Sequence, residues 1–122
     1  VTTIKAIKSK LRQQDFFGRW GGEEFVVLLP ETRLKSAETV AERLRATIED
    51  LVKTPPEDQV YPYTTLSVGI TSCGAKDINL DSIIQRADQA LYQAKERGRN
   101  QGVAIAPHGL EHLLRNNNGS DR

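Results

Sequence analysis

The chain of 122 residues has one cysteine, no long apolar run and almost no net charge. With Cys73 alone it cannot form an internal disulfide, which suits a reducing compartment. No apolar stretch approaches the roughly 20 residues that span a bilayer, and the start shows no signal peptide. The balance of 17 basic and 16 acidic residues argues against a general nucleic-acid or membrane surface. We expect a cytoplasmic chain without either partner, unless it was cut from a membrane-tethered protein.

The length fits one domain, and a hydrophobic content of 38% supports a core of modest size. Apolar periodicity and turn residues predict the order helix, hairpin, helix, strand, helix, strand. The predicted elements are a helix in the first dozen residues, strands at 16–20 and 25–29, a helix with apolar positions from 37 to 51, a strand at 63–71, a helix capped by Asn79 and stopped by Gly98, and a strand at 102–106. This order predicts an α+β fold in which helices cover a mainly antiparallel sheet. The run "FVVLL" is apolar on both faces, as in a central strand.

The stretch "FGRWGGEEFVVLLP" places two glycines and two glutamates between two apolar runs. The pair Gly21–Gly22 predicts a hairpin tip whose backbone can approach a bulky ligand closely. Adjacent carboxylates repel each other, so Glu23 and Glu24 have two interpretations. They lie on a plain solvated turn, or one of them binds a divalent cation such as Mg²⁺ together with phosphate oxygens.

Lys95 lies four residues after Leu91, on the apolar line of its helix and away from the polar face. One interpretation is a lysine whose charge reaches solvent near the helix C-terminus, where a cation is favoured. The other is a cation that faces a phosphate, together with Arg99. The residues alone leave both interpretations open.

Three motifs, "RWGGEEF", "LSVGIT" and "RADQALYQAKERGRN", occur in the order and spacing that resemble the GGDEF domain of diguanylate cyclases. The resemblance runs from about Ile4 to Ala106. It implies a palm-like nucleotide-cyclase fold with a ferredoxin-like core. It also implies that two GTP molecules condense to cyclic di-GMP and release two pyrophosphates, with one GTP and Mg²⁺ or Mn²⁺ in each domain of a facing pair.

The resemblance assigns roles to the unusual residues. Gly21 and Gly22 would approach the nucleotide, Glu23 would bind metal and serve catalysis, and Glu24 would belong to the catalytic centre. Lys95 and Arg99 match the pair that binds the terminal phosphates, which accounts for a lysine on an apolar stripe.

The segment "RQQD" matches the inhibitory motif of the family, which binds the cyclic product. Arg12 and Asp15 would act there with Arg43 on the following helix, because forked guanidinium donors suit phosphates and guanine edges. The alternative is an Arg–Asp ion pair at a helix end, which contributes little if it is exposed.

The chain departs from the family pattern at its start. The family's domain begins with a central strand that carries an aspartate metal ligand, followed by an asparagine and an aspartate that bind guanine. The 20 residues before Gly21 contain no counterpart. We therefore expect residues 1–106 to be a truncated GGDEF domain and 107–122 a partly disordered tail, with weak Mg²⁺ or Mn²⁺ binding.

A missing central strand would leave two neighbouring strands with unpaired backbone groups. The sheet could close directly, pair with a second copy or capture a partner's strand, so we expect a homodimer or larger assembly. Three functions follow: an impaired diguanylate cyclase, a module that binds cyclic di-GMP without turnover, or a strand-pairing oligomerisation protein.

Overall fold

The computed structural model describes residues 3–21, 24–57 and 64–107. Its elements are α1 (Thr3–Lys8), β1 (Phe16–Gly21), β2 (Glu24–Leu28), α2 (Leu34–Lys53), β3 (Val68–Ile70), α3 (Leu80–Glu96) and β4 (Gly102–Ala104). Their order is the predicted one, and the α+β class is confirmed. The tail from 108 onward lies outside the described residues, so its predicted partial disorder stays a prediction.

Three elements are shorter than the sequence pattern predicted. The first helix ends at Lys8, where the amides of Lys10 and Leu11 bond three residues back in a tighter turn. The last two strands span three residues each, because their parallel pairing extends only from Val68↔Gly102 to Ile70↔Ala104. Strand length depends on the partner that the chain meets in space, which the local sequence does not encode.

The strands form two separate two-stranded sheets. β1 and β2 make an antiparallel hairpin with an irregularity between Arg19 and Gly21, whereas β3 and β4 pair in parallel. In the described part of the chain β2 therefore has one strand neighbour. Its interpretation as a strand central in this chain's own sheet is wrong, and its second edge is not paired with a described strand.

The helix α2 organises the core. Its buried positions Ala37, Ala41, Leu44 and Ile48 follow at three- and four-residue spacing along one face. The N-terminal half packs on Ile70 of β3, and the C-terminal half packs on α1. Ile48 is the largest fully buried side chain among the described residues. Much of the core consists of alanine, which lets backbones approach but buries little apolar area.

The helix α3 begins and ends as its sequence predicts. Asn79 accepts a hydrogen bond from the amide of Ser82 (3.0 Å), and Asp81 lies in the first turn. Gly98 follows the last turn with a φ of 114°, the left-handed conformation that glycine adopts at low cost. None of the helices within the described ranges combines the length and the apolar character needed to cross a membrane.

An unpredicted ion pair fixes the loop between β3 and α3. Arg86 donates to both carboxylate oxygens of Asp77 (3.0 and 2.7 Å), to the carbonyl of Ser72 (2.6 Å) and to the hydroxyl of Thr71 (2.7 Å). These bonds, with one from the amide of Gly74, hold the pKa of Asp77 well below its usual value. The loop that leads into α3 is therefore tied to the helix that follows it.

Gly69 provides a direct test of how α3 packs on β3. A Cβ at this position would collide with the carbonyl oxygen of Ala87 and lie 2.5 Å from the amide nitrogen of Leu91. Because backbone atoms cannot move aside as a flexible side chain can, we expect Gly69→Ala to lower the free energy of unfolding by about 3 kcal/mol. Urea unfolding followed by circular dichroism measures this change.

Gly21→Ala is the matched control, because no heavy atom of the described residues, its chain neighbours aside, lies within 4 Å of its Cβ position. It should change stability by less than about 1 kcal/mol. Equal stability of the Gly69→Ala variant and the parent chain would contradict the described contact between α3 and β3.

Candidate functional site

A largely apolar groove of about 900 Å³ separates the two sheets. β2 and β3 both line it, as do α2 and the α3 face that carries Ala87 and Leu91. Three carboxylate residues, Glu24, Glu31 and Asp88, border the groove, and all three are exposed. This surface therefore offers acidic groups at the margin of an apolar cleft.

The structure describes the two residues that flank the hairpin tip, Gly21 and Glu24. Gly21 is exposed, ends β1 and pairs with Glu24, the exposed first residue of β2. Gly22 and Glu23 lie outside the described residues, so their predicted roles remain untested. The described residues around Gly21 leave room for a side chain, so packing alone does not require a glycine at this position. A ligand that lies against the backbone would require one.

Lys95 and Arg99 are exposed at the end of α3. Leu91 lines the groove, and Lys95 continues the same stripe one turn further along the helix. Arg99 has a φ of 64°, and the next residue, Asn100, has a φ of 50°. Side-chain-bearing residues adopt this conformation at a cost of about 1–2 kcal/mol each. Within the described ranges neither cation makes an ion pair, so both charges are available to an anion.

A polar network that the sequence did not reveal holds this turn. The side-chain amide of Asn100 donates to Glu49 (2.7 Å) and accepts from Arg45 (3.0 Å), while its backbone amide donates to the hydroxyl of Ser67 (3.2 Å). Arg45 and Glu49 lie on α2, more than 50 positions away in sequence. The only local signal was an asparagine in the left-handed region, which asparagine tolerates better than most residues.

Arg12 and Asp15 lie together, as predicted. The Nη2 atom of Arg12 is 2.7 Å from Oδ1 of Asp15, and the backbone amide of Arg12 donates to Oδ2 (2.8 Å). The Asp15 side chain is 3% exposed and that of Arg12 is 48% exposed. The hydrogen bonds from Arg12 hold the pKa of the Asp15 carboxyl below its usual value. The motif is therefore a closed turn with a buried acceptor and a half-exposed donor.

The same arginine also reaches the loop before α2. Its Nη2 atom donates to the carbonyl of Pro30 (3.1 Å) and to the hydroxyl of Thr32 (3.0 Å). Arg43 is exposed on α2 and forms no hydrogen bond or ion pair with Arg12 or Asp15 in the described structure. The structure therefore joins two members of the predicted triad and adds Thr32, and the role of Arg43 stays a prediction.

The described residues do not form a metal site of their own. Among residues 3–21, 24–57 and 64–107, no three histidine, cysteine, aspartate or glutamate side chains cluster as ligands. Mg²⁺ requires near-octahedral oxygen coordination, which Glu24 alone does not supply. A cation implied by the sequence would need Glu23 or oxygen atoms of a ligand.

The comparisons with known proteins agree with the motifs. The sequence model of a family described as "Diguanylate cyclase, GGDEF domain" matches residues 1–101. Diguanylate cyclase A of Treponema denticola is 41% identical over 106 residues, which are 87% of this chain and 28% of that relative. The chain therefore spans less than a third of this curated relative.

Two solved structures are similar in fold. The active GGEEF domain of a diguanylate cyclase from Vibrio cholerae is 32% identical, with a TM-score of 0.70 over 84% of this chain and 63% of that one. The GGDEF domain of DgcB from Caulobacter crescentus, in complex with c-di-GMP, is 27% identical, with a TM-score of 0.70 over 84% of this chain and 60% of that one.

The Arg12–Asp15 pair makes a pH-dependent prediction. Because the folded-state pKa of Asp15 lies below the ordinary value of 3.8, the pair stabilises the fold above about pH 4. That contribution disappears as the pH falls through the lowered pKa. We expect Arg12→Gln to return the Asp15 pKa toward 3.8, measured by NMR titration of its carboxyl carbon.

Lys10→Gln is the control, because it removes an exposed charge nearby without touching Asp15. It should leave the titration curve of Asp15 where it is. An Asp15 pKa that stays low in Arg12→Gln would mean that another group lowers it.

Proposed function

Because the chain belongs to the GGDEF family, we propose that it is a diguanylate cyclase-type domain that acts on GTP. Two GTP molecules condense to cyclic di-GMP and release two pyrophosphates. One structural observation carries the proposal. Lys95 in the last turn of α3 and Arg99 in the turn that follows are exposed and have no described counter-charge, and the backbone conformation of Arg99 costs free energy. Such a turn is typical of functional sites, and two adjacent cations suit a polyphosphate.

The chemistry requires alignment and charge neutralisation. The 3′-hydroxyl of one GTP attacks the α-phosphate of the other, a new P–O bond forms, and pyrophosphate leaves with its electron pair. Glu24 accepts the hydroxyl proton directly or through water. Lys95 and Arg99 hold the terminal phosphates, and Gly21 and Gly22 let the nucleotide lie against the backbone. A homodimer supplies both nucleotides, one from each copy.

The divalent cation would be bound mainly by the nucleotide. Glu23 is the one protein ligand that the motif offers, together with phosphate oxygens, so Mg²⁺ or Mn²⁺ should bind weakly. Residues 1–122 also offer no counterpart for the second metal-binding aspartate or for the guanine-binding pair. We therefore expect this polypeptide by itself to turn GTP over slowly. A reducing, cytoplasmic compartment suits both the substrate and the exposed Cys73.

A second candidate function is binding of cyclic di-GMP without turnover. The closed turn of Arg12 and Asp15 favours it, because it offers guanidinium donors and a carboxylate acceptor side by side. The related DgcB domain is described in complex with c-di-GMP. Arg43 on α2 would add a further donor for a phosphate.

Calorimetry with two ligands separates these functions. We expect Arg99→Gln to weaken binding of GTP with Mg²⁺ about tenfold, because a charged hydrogen bond is lost. Arg12→Gln should weaken cyclic di-GMP by a similar factor and leave GTP unchanged. Arg97→Gln is the matched control, since Arg97 is also an exposed arginine and its side chain bonds to Gln93 of α3.

Turnover of GTP, measured by pyrophosphate release, completes this test. Binding of cyclic di-GMP alone would select the second function. Binding of neither ligand would contradict both and leave the strand-pairing protein. Turnover at the rate of an intact domain would contradict the expected impairment.

The groove supports self-association. Phe25 and Leu28 of β2 are each 39% exposed on its wall, and Leu80 of α3 is 46% exposed there. The edges of β2 and β3 that do not pair with described strands could bond a strand from a second copy. We propose that two copies associate through this groove.

Sedimentation velocity tests the association. We expect the average mass to rise with concentration, and Phe25→Lys to shift the equilibrium toward monomer because it places a charge in the apolar contact. Ile78→Lys is the control, since Ile78 is 89% exposed and does not line the groove. A stable monomer at every concentration would rule out this role of the groove.

A further inference from the structure

The turn that presents Arg99 is held from another element. Three successive residues, Gly98, Arg99 and Asn100, have φ values of 114°, 64° and 50°. Two bonds come from α3 itself, since the amide of Arg99 donates to the carbonyl of Ala94 (2.9 Å) and that of Gly98 to Lys95 (3.3 Å). A helix commonly ends with one residue in the left-handed conformation, which here is Gly98. These local bonds therefore do not account for the left-handed conformation of Arg99 and Asn100.

Asn100 connects the turn to α2. Its side-chain oxygen accepts from Nη1 of Arg45 (3.0 Å), and its side-chain nitrogen donates to Oε2 of Glu49 (2.7 Å). The side-chain oxygen of Asn100 faces a donor and its side-chain nitrogen faces an acceptor, and these two partners lie one turn apart on α2. The two bonds together fix the orientation of the amide group. The amide plane in turn restricts the backbone of the residue after Arg99.

The two α2 side chains are themselves held. Arg45 donates to both oxygens of Glu42 (2.9 and 2.7 Å) and lies 3.3 Å from Glu49, and its side chain is 15% exposed. Surface pairs of this kind contribute little to stability when they are isolated. Here three charged side chains and an amide form one connected group, so their geometry is shared and rigid.

We propose that Arg45 and Glu49 are positioning residues for polyphosphate binding. Through Asn100 they hold the backbone of the turn that carries Arg99, directly after the helix end that carries Lys95. They touch no ligand. The inference rests on the proposed function, because it takes the terminal phosphates of a nucleotide as the ligand of that turn. A turn whose backbone is held before binding loses less backbone freedom when a ligand binds, which raises affinity.

The test uses the 122-residue chain and inorganic tripolyphosphate as the probe. We expect Arg45→Gln and Glu49→Leu to weaken tripolyphosphate binding about tenfold in calorimetry. Cyclic di-GMP binding should stay unchanged, which a general loss of fold would not permit. Glu49→Gln keeps an acceptor oxygen for Asn100 and should rescue binding to within about twofold of the parent chain. Lys35→Gln, an exposed charge change at the start of α2, is the control.

Amide hydrogen exchange provides a readout that needs no ligand. The amides of Arg99 and Asn100 should exchange faster in Arg45→Gln and Glu49→Leu, and at the parent rate in Glu49→Gln and Lys35→Gln. Unchanged exchange in Glu49→Leu would overturn the inference whatever the ligand results are. Faster exchange with undiminished tripolyphosphate binding would overturn the positioning role. A parent chain that binds no tripolyphosphate, with exchange as expected, would overturn the proposed function and support only the link between α2 and the turn.

Discussion

The close packing of α3 against β3 at Gly69 sets the geometry of everything that follows. A glycine at this position lets the backbone of α3 approach the strand, with Ala87 and Leu91 as the contacting residues. That contact places the α3 stripe on the groove and directs the C-terminal end of the helix to the turn before β4. The turn between α3 and β4 is held by β3 at both of its ends, because α3 packs on β3 and β4 pairs with it. The position of Lys95 and Arg99 therefore depends on the absence of a side chain at Gly69 of β3, which the helix contacts at Ala87 and Leu91.

The helix α2 supports both candidate anion sites. Its buried face packs on α1 and β3, while other faces carry Arg43, predicted for the product site, and the pair Arg45 and Glu49, which hold Asn100. The loop before α2 also accepts hydrogen bonds from Arg12. The helix α2 thus fixes the distance between the two sites, since a helix of 20 residues keeps its length when ligands bind near its ends.

The sequence predicted structure that depends on neighbouring residues and missed contacts between residues that are far apart in the chain. Periodicity and caps were enough for α2 and α3, and Asn79 and Gly98 act as their residue types suggest. The Arg12–Asp15 turn was also readable, since its partners are three residues apart. The groove, the Arg86–Asp77 pair and the Arg45–Asn100 bond depend on which segments meet in space. The expected convergence of Glu23 with Lys95 and Arg99 stays a prediction, because Glu23 lies outside the described part of the chain.

The two proposed sites differ in their charged groups, and that difference supports the ligands proposed for them. Arg12 is paired with the buried carboxylate of Asp15 at 2.7 Å, so this pair is close to neutral and presents the half-exposed guanidinium as a donor, with the exposed cation Arg43 as the further proposed member. Such a set suits a ligand with few charges and with base edges that both donate and accept, as a cyclic dinucleotide has. Lys95 and Arg99 have no described counter-charge, so their turn keeps its positive potential and suits the higher charge of a triphosphate. A triphosphate placed against Arg12 would be repelled by the buried carboxylate of Asp15. A cyclic dinucleotide at the turn would leave part of the positive charge unmatched, so the charge pattern agrees with the proposed division between a triphosphate site and a cyclic dinucleotide site.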